Sequence, residues 1–201
     1  MLNKHLKNEL KEILIMKRTL LITLCCLFSI IIQAQTEHLK FMGIPLDGSI
    51  SAFQSKLQAK GIKYDAESSR QLKAGCRSFK GSFSGEKADF YVYYNEKTKV
   101  VYRAKAVITC FDKERGEEKF YTFRSMLKTK YSDGIAEDGE QEGHPALSIL
   151  VPDSKQEKGL GYVSMYINNP PYSFMDEVYL HIDYEDASNR MVNQENIMED
   201  L

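Results

Sequence analysis

The sequence predicts an α+β fold of two units, each a helix followed by three antiparallel strands, with the helices packed on one face of the sheet. Two observations carry it. Ile50, Phe53 and Leu57 are matched 70 residues later by Phe120, Phe123 and Leu127, apolar at offsets of 0, 3 and 7 in both places, which is the spacing of one buried helix stripe used twice. Behind each stripe come runs that alternate apolar and polar residues with period two, the pattern of half-buried strands. The predicted organisation is a signal peptide and leader over residues 1–34, a first α-β-β-β unit over 35–112, a second over 113–186, and a C-terminal helix or tail over 187–201.

Lys17 and Arg18 precede an uncharged apolar run of 13 residues, Leu20 to Ile32, which ends in Gln33-Ala34-Gln35. That is the layout of a secretory signal with Met16 as a natural start and cleavage near Ala34. A membrane span needs about 20 apolar residues, so no stable span is expected after cleavage, and the expected location is periplasmic or secreted. Removing residues 1–34 takes five basic residues and two acidic ones from totals of 27 and 28, leaving 22 and 26 and a net charge of −4. Without a basic stripe, nucleic acid is not an expected partner.

His38 to Leu46 reads as a short strand interrupted by Gly43 and Pro45, at a sheet edge because proline donates no ladder hydrogen bond. Asp47-Gly48-Ser49 supplies the turn and cap for a helix from Ile50 to Lys60, stopped by Gly61. Residues 64–75 read as polar and irregular. Three strands follow. The first runs Cys76 to Phe83; in the second, Phe90, Val92 and Tyr94 alternate with Asp89, Tyr91 and Tyr93. In the third, Val100, Tyr102, Ala104, Ala106 and Ile108 alternate with Arg103, Lys105 and Thr109. Acidic residues from Glu114 to Glu118 suit the positive end of a second helix that runs to Lys130, its apolar face made by Phe120, Phe123, Leu127 and Tyr131. Ser132 to Pro145 reads as a solvated acidic loop; its carboxylates lack the register of a calcium loop. Strands at Ala146–Val151, Leu160–Asn168 and Glu177–Tyr184 close the second unit.

Outside the signal the only cysteines are Cys76 and Cys110. They sit at opposite ends of the three-strand meander and in opposite phases of its alternation, whereas a bridge needs Cα atoms within about 7 Å; two free thiols are expected. Catalytic patterns are missing. The four histidines, His5, His38, His144 and His181, are scattered and no His or Cys pair has metal-ligand spacing. Gly81-Ser82-Phe83-Ser84-Gly85 carries Phe83 where a nucleophile elbow needs serine. His181, Asp183 and Glu185 share a strand face, but an outward polar face of an antiparallel strand looks the same. The expectation is a non-enzyme with no metal and no cofactor.

The phase that the helices leave open collects Tyr91, Tyr93, Arg103, Lys105, Tyr162, Tyr166, Tyr179 and His181, with five of the twelve tyrosines. Tyrosine and arginine are enriched in recognition surfaces, and tyrosine also favours strands for reasons of its own, so the composition leaves both readings open. A helix followed by antiparallel strands, occurring twice in a small exported chain, resembles the tandem architecture of the β-lactamase-inhibitor protein and of PepSY-like periplasmic domains. The stretch from Gln33-Ala34-Gln35 through Leu39-Lys40-Phe41-Met42-Gly43-Ile44-Pro45-Leu46 is similar to small exported proteins of Bacteroidetes-type bacteria. The inhibitor resemblance implies an aromatic sheet face that contacts a protein partner. The expected function is therefore an exported module binding a protein or peptide through the tyrosine face; the alternative is a small-ligand or lipid carrier of the cell envelope, with the ligand between sheet and helices.

Overall fold

In the computed structural model, residues 37–153, 159–170 and 176–198 are described; the expected signal segment lies outside them. Helix α1 (Ile50–Ala59) starts where the Ser49 hydroxyl accepts a hydrogen bond from the Ala52 N–H at 3.3 Å, and the chain leaves it through Gly61 at φ 82°. Its stripe of Ile50, Phe53 and Leu57 is buried, as the spacing predicts. The long helix α3 (Lys113–Lys130) is capped by Asp112, whose carboxylate accepts from the Arg115 N–H at 2.8 Å, and it buries Gly116, Phe120, Phe123 and Leu127. Lys128 and Lys130 in its last turn complement the negative end of the helix. At Gly116 the helix lies tight against the sheet: a Cβ there would lie 2.5 Å from Val178 Cγ2.

Among the described residues eight strands form one antiparallel sheet: β3 (Lys63–Asp65), β4 (Cys76–Phe83), β5 (Glu86–Tyr94), β6 (Val101–Cys110), β7 (Ile135–Gln141), β8 (His144–Pro152), β9 (Gly159–Asn168) and β10 (Val178–Asp186). Their order across the sheet is β3-β4-β5-β6-β10-β9-β8-β7. A separate pair, β1 (Lys40–Phe41) and β2 (Ile44–Pro45), folds back over the core. The described residues hold two shorter helices as well, α2 (Ala66–Gln71) and α4 (Ala187–Met198). Register fixes the faces. Phe79, Phe90, Ala106, Ile182, Met165 and Leu147 stand opposite one another strand by strand, all buried in the core that α1 and α3 cover. Among the described residues, no helix is long and apolar enough to cross a membrane.

The α+β class and the antiparallel sheet agree with the alternation, and four local readings need correction. The segment 64–75 holds the end of β3 and helix α2, which Asp65 caps through the Ser68 N–H and hydroxyl. The acidic segment 132–145 contains β7, fully exposed along its length and paired with β8. Asp138 on that strand holds both Arg124 (2.7 Å) and Lys128 (2.6 Å) of α3, so this carboxylate anchors an edge strand to the helix. These partners, Arg124 before Lys128, keep the Asp138 carboxyl well below the usual range. Residues 38–46 form the β1–β2 hairpin, outside the main sheet, with Phe41 in the core. Finally, a bulge between Tyr93 and Tyr94 puts Val101 in the buried phase where alternation places Tyr102.

The C-terminal segment docks as a helix. Asp186, only 1% exposed, accepts from the Asn189 N–H (2.9 Å) and the Leu39 N–H (2.9 Å) and faces the His38 ring (3.1 Å). Asn189 in turn donates to the carbonyls of Leu46 and Val101. One buried carboxylate thus ties the N-terminal hairpin, the end of β10 and the start of α4 together.

Candidate functional site: the tyrosine face of the sheet

All eight residues expected on the open face are there, and register sorts them into rows. Across the middle run Ser78, Tyr91, Lys105, Asp183, Ser164 and Ser148; one row along lie Cys76, Tyr93, Arg103, Glu185, Tyr162 and Leu150; on the other side lie Lys80, Asp89, Val107, His181, Tyr166 and Ala146. Tyr179 stands between Thr109 and Asn168. Strand order brings β6 against β10, which is why residues separated by 80 positions meet.

Most of these side chains are held by one another. Arg103 donates through Nε to both Asp183 oxygens at 2.9 and 3.1 Å and through Nη2 to Oδ2, while its guanidinium lies 5.0 Å from the Tyr93 ring centre. Hydrogen bonding to Asp183 pushes the Arg103 pKa further up. Lys105 Nζ sits 5.8 Å from the centre of the Tyr91 ring, and burial, with Arg103 adding to it, lowers the lysine's pKa. The imidazole of His181 stacks on Tyr166, ring centres 4.7 Å apart and 6° from parallel, and meets Tyr179 edge-on at 6.4 Å. Burial raises the pKa of Tyr91, Tyr93 and Tyr166, so all three remain phenols at neutral pH. Tyr162 is the exposed member at 43%.

Two further residues belong to the site and were not among those expected. Tyr102 is brought by the bulge to a cleft of about 450 Å³ that it lines with Cys76, Tyr93 and Asn193. Alternation cannot find such a residue, because a bulge breaks the period. Asn168 was findable, since it continues the phase of Tyr162 and Tyr166; its Oδ1 lies 2.6 Å from His181 Nε2.

No protein-family model, curated protein or solved structure matches this chain. The chemistry of the face is therefore read from its own contacts. His181 and Asp183 have separate partners, Asn168 and Arg103, so the carboxylate is engaged elsewhere than on the imidazole. Cys76 has its thiol pushed up to about 11 by burial, against the pull of Lys105 and Arg103, and stays protonated. Cys110 is buried on the opposite, helix-covered face, and both cysteines are free. Among the described residues no cluster of His, Cys, Asp or Glu could hold a metal ion.

His181 gives this face a pH signature. The residue is 8% exposed, and burial first, then Lys105 and Arg103, push its pKa down from 6.5 to about 4. Below pH 6.5 the unfolded chain takes up a proton that the native imidazole refuses until about pH 4, so stability falls with falling pH across that window and levels off beneath it. The expected loss is about 3 kcal/mol, at about 1.4 kcal/mol for each pH unit of the window. Urea midpoints measured through this window should drop for the wild type and stay flatter for His181→Gln; equal slopes for both would refute the assignment.

Proposed function

We propose that the chain is an exported, non-enzymatic interaction module that binds a protein or peptide through the tyrosine face. The observation that supports this most is order among the aromatic side chains: Tyr93 under Arg103, Tyr91 beside Lys105 and Tyr166 stacked on His181. A side chain already fixed by its neighbours loses little freedom when a partner covers it, and such ordering otherwise costs about 0.5–1.5 kcal/mol per side chain. The face also mixes apolar rings with Arg103, Lys105 and Asp183, the composition that recognition surfaces favour. In this reading the chain uses one unit twice, a helix followed by antiparallel strands, joined through β6 and β10, as in the inhibitor and PepSY-like architectures it resembles. Fold likeness alone does not carry function, so the weight rests on the face.

The test is a capture experiment from cell-envelope extract with three purified proteins: the wild type, a Tyr91→Ser, Tyr166→Ser double variant, and Tyr121→Ser. Tyr121 is 57% exposed on α3, away from the face. Circular dichroism melting must first show that each is folded. Partners held by the wild type and Tyr121→Ser, and lost from the double variant, are the expected result. Identical partner sets from all three would remove the face from the proposal.

A further inference from the structure

On the helix side of the molecule, a groove of about 420 Å³ lies between α3, the β1–β2 turn and the β4–β5 turn. That volume is within the range of about 300–1,000 Å³ typical of small-molecule sites. Phe83, Phe123, Leu127 and Tyr184 form its floor, each nearly buried, and Met42 and Met126 stand along it. Its residues with polar side-chain groups are few: Ser84, Tyr184 and Lys130. A sugar or nucleotide would leave most of its polar groups unpaired on such walls, at about 1–3 kcal/mol for each group.

Two features mark the groove as more than a gap in packing. The first is Met42, which has φ 51° and precedes Gly43 at φ 77°. This two-residue turn calls for left-handed backbone at both positions, where Asn-Gly or Gly-Gly is the usual choice. A residue with a full side chain is held there at a cost of about 1–2 kcal/mol, and that side chain lines the groove. Met126, 53% exposed, faces the same space from α3. Methionine is flexible and polarisable, suited to a chain whose contour varies. The second feature is the charge at the mouth. Lys130 Nζ is held 4.9 Å from the Tyr131 ring centre and 5.7 Å from that of Tyr184, with no carboxylate within ion-pair distance among the described residues.

We infer that this groove binds a single-chain fatty-acid-type amphiphile, its carboxylate at Lys130 and its alkyl chain along Met42, Phe83, Phe123 and Met126. The ammonium matches one anionic head group, and the apolar walls match one chain. The site is independent of the tyrosine face, and the two can stand or fall separately.

Dodecanoate and dodecyltrimethylammonium below their micelle concentrations, and dodecanol below its solubility limit, are the probes. Titration calorimetry of the purified protein should show saturable, one-to-one binding of dodecanoate, with dodecanol up to about fivefold weaker and the cation weaker still, since one exposed ion pair contributes up to about 1 kcal/mol and tenfold is about 1.4. Lys130→Gln should bring dodecanoate down to the level of dodecanol and leave dodecanol unchanged. Met126→Asp, at an exposed position that does not threaten folding, should weaken dodecanoate and dodecanol together. Methyl resonances of Met42 and Met126 should shift on adding dodecanoate to ¹³C-methyl-methionine protein. Absence of saturable binding, binding indifferent to both substitutions, or shifts confined to other methionines would each overturn the assignment.

Discussion

Replacing Phe41 by alanine is expected to destabilise the protein by about 4 kcal/mol, the middle of the range for a fully buried phenylalanine. Phe41 belongs to a strand of two residues outside the main sheet, yet it is 0% exposed. Its ring stacks on Phe83 at 5.9 Å and meets Phe90 and Tyr184 edge-on at 6.1 and 5.3 Å, so it joins β4, β5 and β10 in one aromatic cluster. Truncation leaves a cavity that rigid strands cannot close, and edge-to-face pairs add about 0.5–1.5 kcal/mol beyond the area they bury. In a domain of this size the melting temperature should fall by roughly 10 °C. Lys40→Ala, one residue away and exposed, should lie within about 0.5 kcal/mol of the wild type. Urea unfolding of both variants decides the matter: a Phe41→Ala loss no greater than that of Lys40→Ala would mean the hairpin is an appendage.

The sequence was informative wherever one side of an element is apolar and the other is not. Alternation in Asp89–Tyr94 and Tyr162–Ile167 named the buried and open sides of β5 and β9, and so assembled the tyrosine face before any strand order was known. β7 was hidden because Ile135–Gln141 is exposed on both sides; its place comes from pairing with β8 and from Asp138 reaching Arg124 and Lys128. Its charges also discourage another chain from adding to that edge. Helix α2 buries no residue and leaves no stripe to read. Phe41 was legible as apolar but not as core, because two residues have no period. Within the site, the members were readable and their pairing was not. Arg103 meets Asp183, and His181 meets Tyr166, only because β10 lies between β6 and β9, and alternation says nothing about which strands are neighbours. The reach of β10 to Asp186, two residues beyond the expected end at Tyr184, reflects a carboxylate that serves at once as strand residue and helix cap.

Gly161→Ala should cost about 3 kcal/mol or more, at or beyond the upper end of ordinary overpacking. Gly161 lies on β9 opposite Asp186, and a Cβ there would fall 2.1 Å from the Glu185 carbonyl oxygen, 3.0 Å from its carbon and 3.1 Å from the Asp186 Cα. Those neighbours are backbone of β10, a strand flanked by partners on both sides. No flexible side chain can give way, so the strand itself must shift. That shift lands on Asp186, whose carboxylate holds the N–H groups of Leu39 and Asn189, and on Glu185, which pairs with Arg190 at 2.7 Å. The damage should therefore spread to the hairpin and the C-terminal helix, and hydrogen exchange at the Leu39 and Asn189 amides should accelerate more than exchange in β4 or β5. Gly139 supplies the comparison: it lies in β7, and a Cβ there meets nothing within 4 Å. Gly139→Ala should stay within about 0.5 kcal/mol of the wild type. If the two glycine variants unfold at the same urea concentration, the close approach of β9 to the end of β10 cannot be what fastens the β1–β2 hairpin to α4.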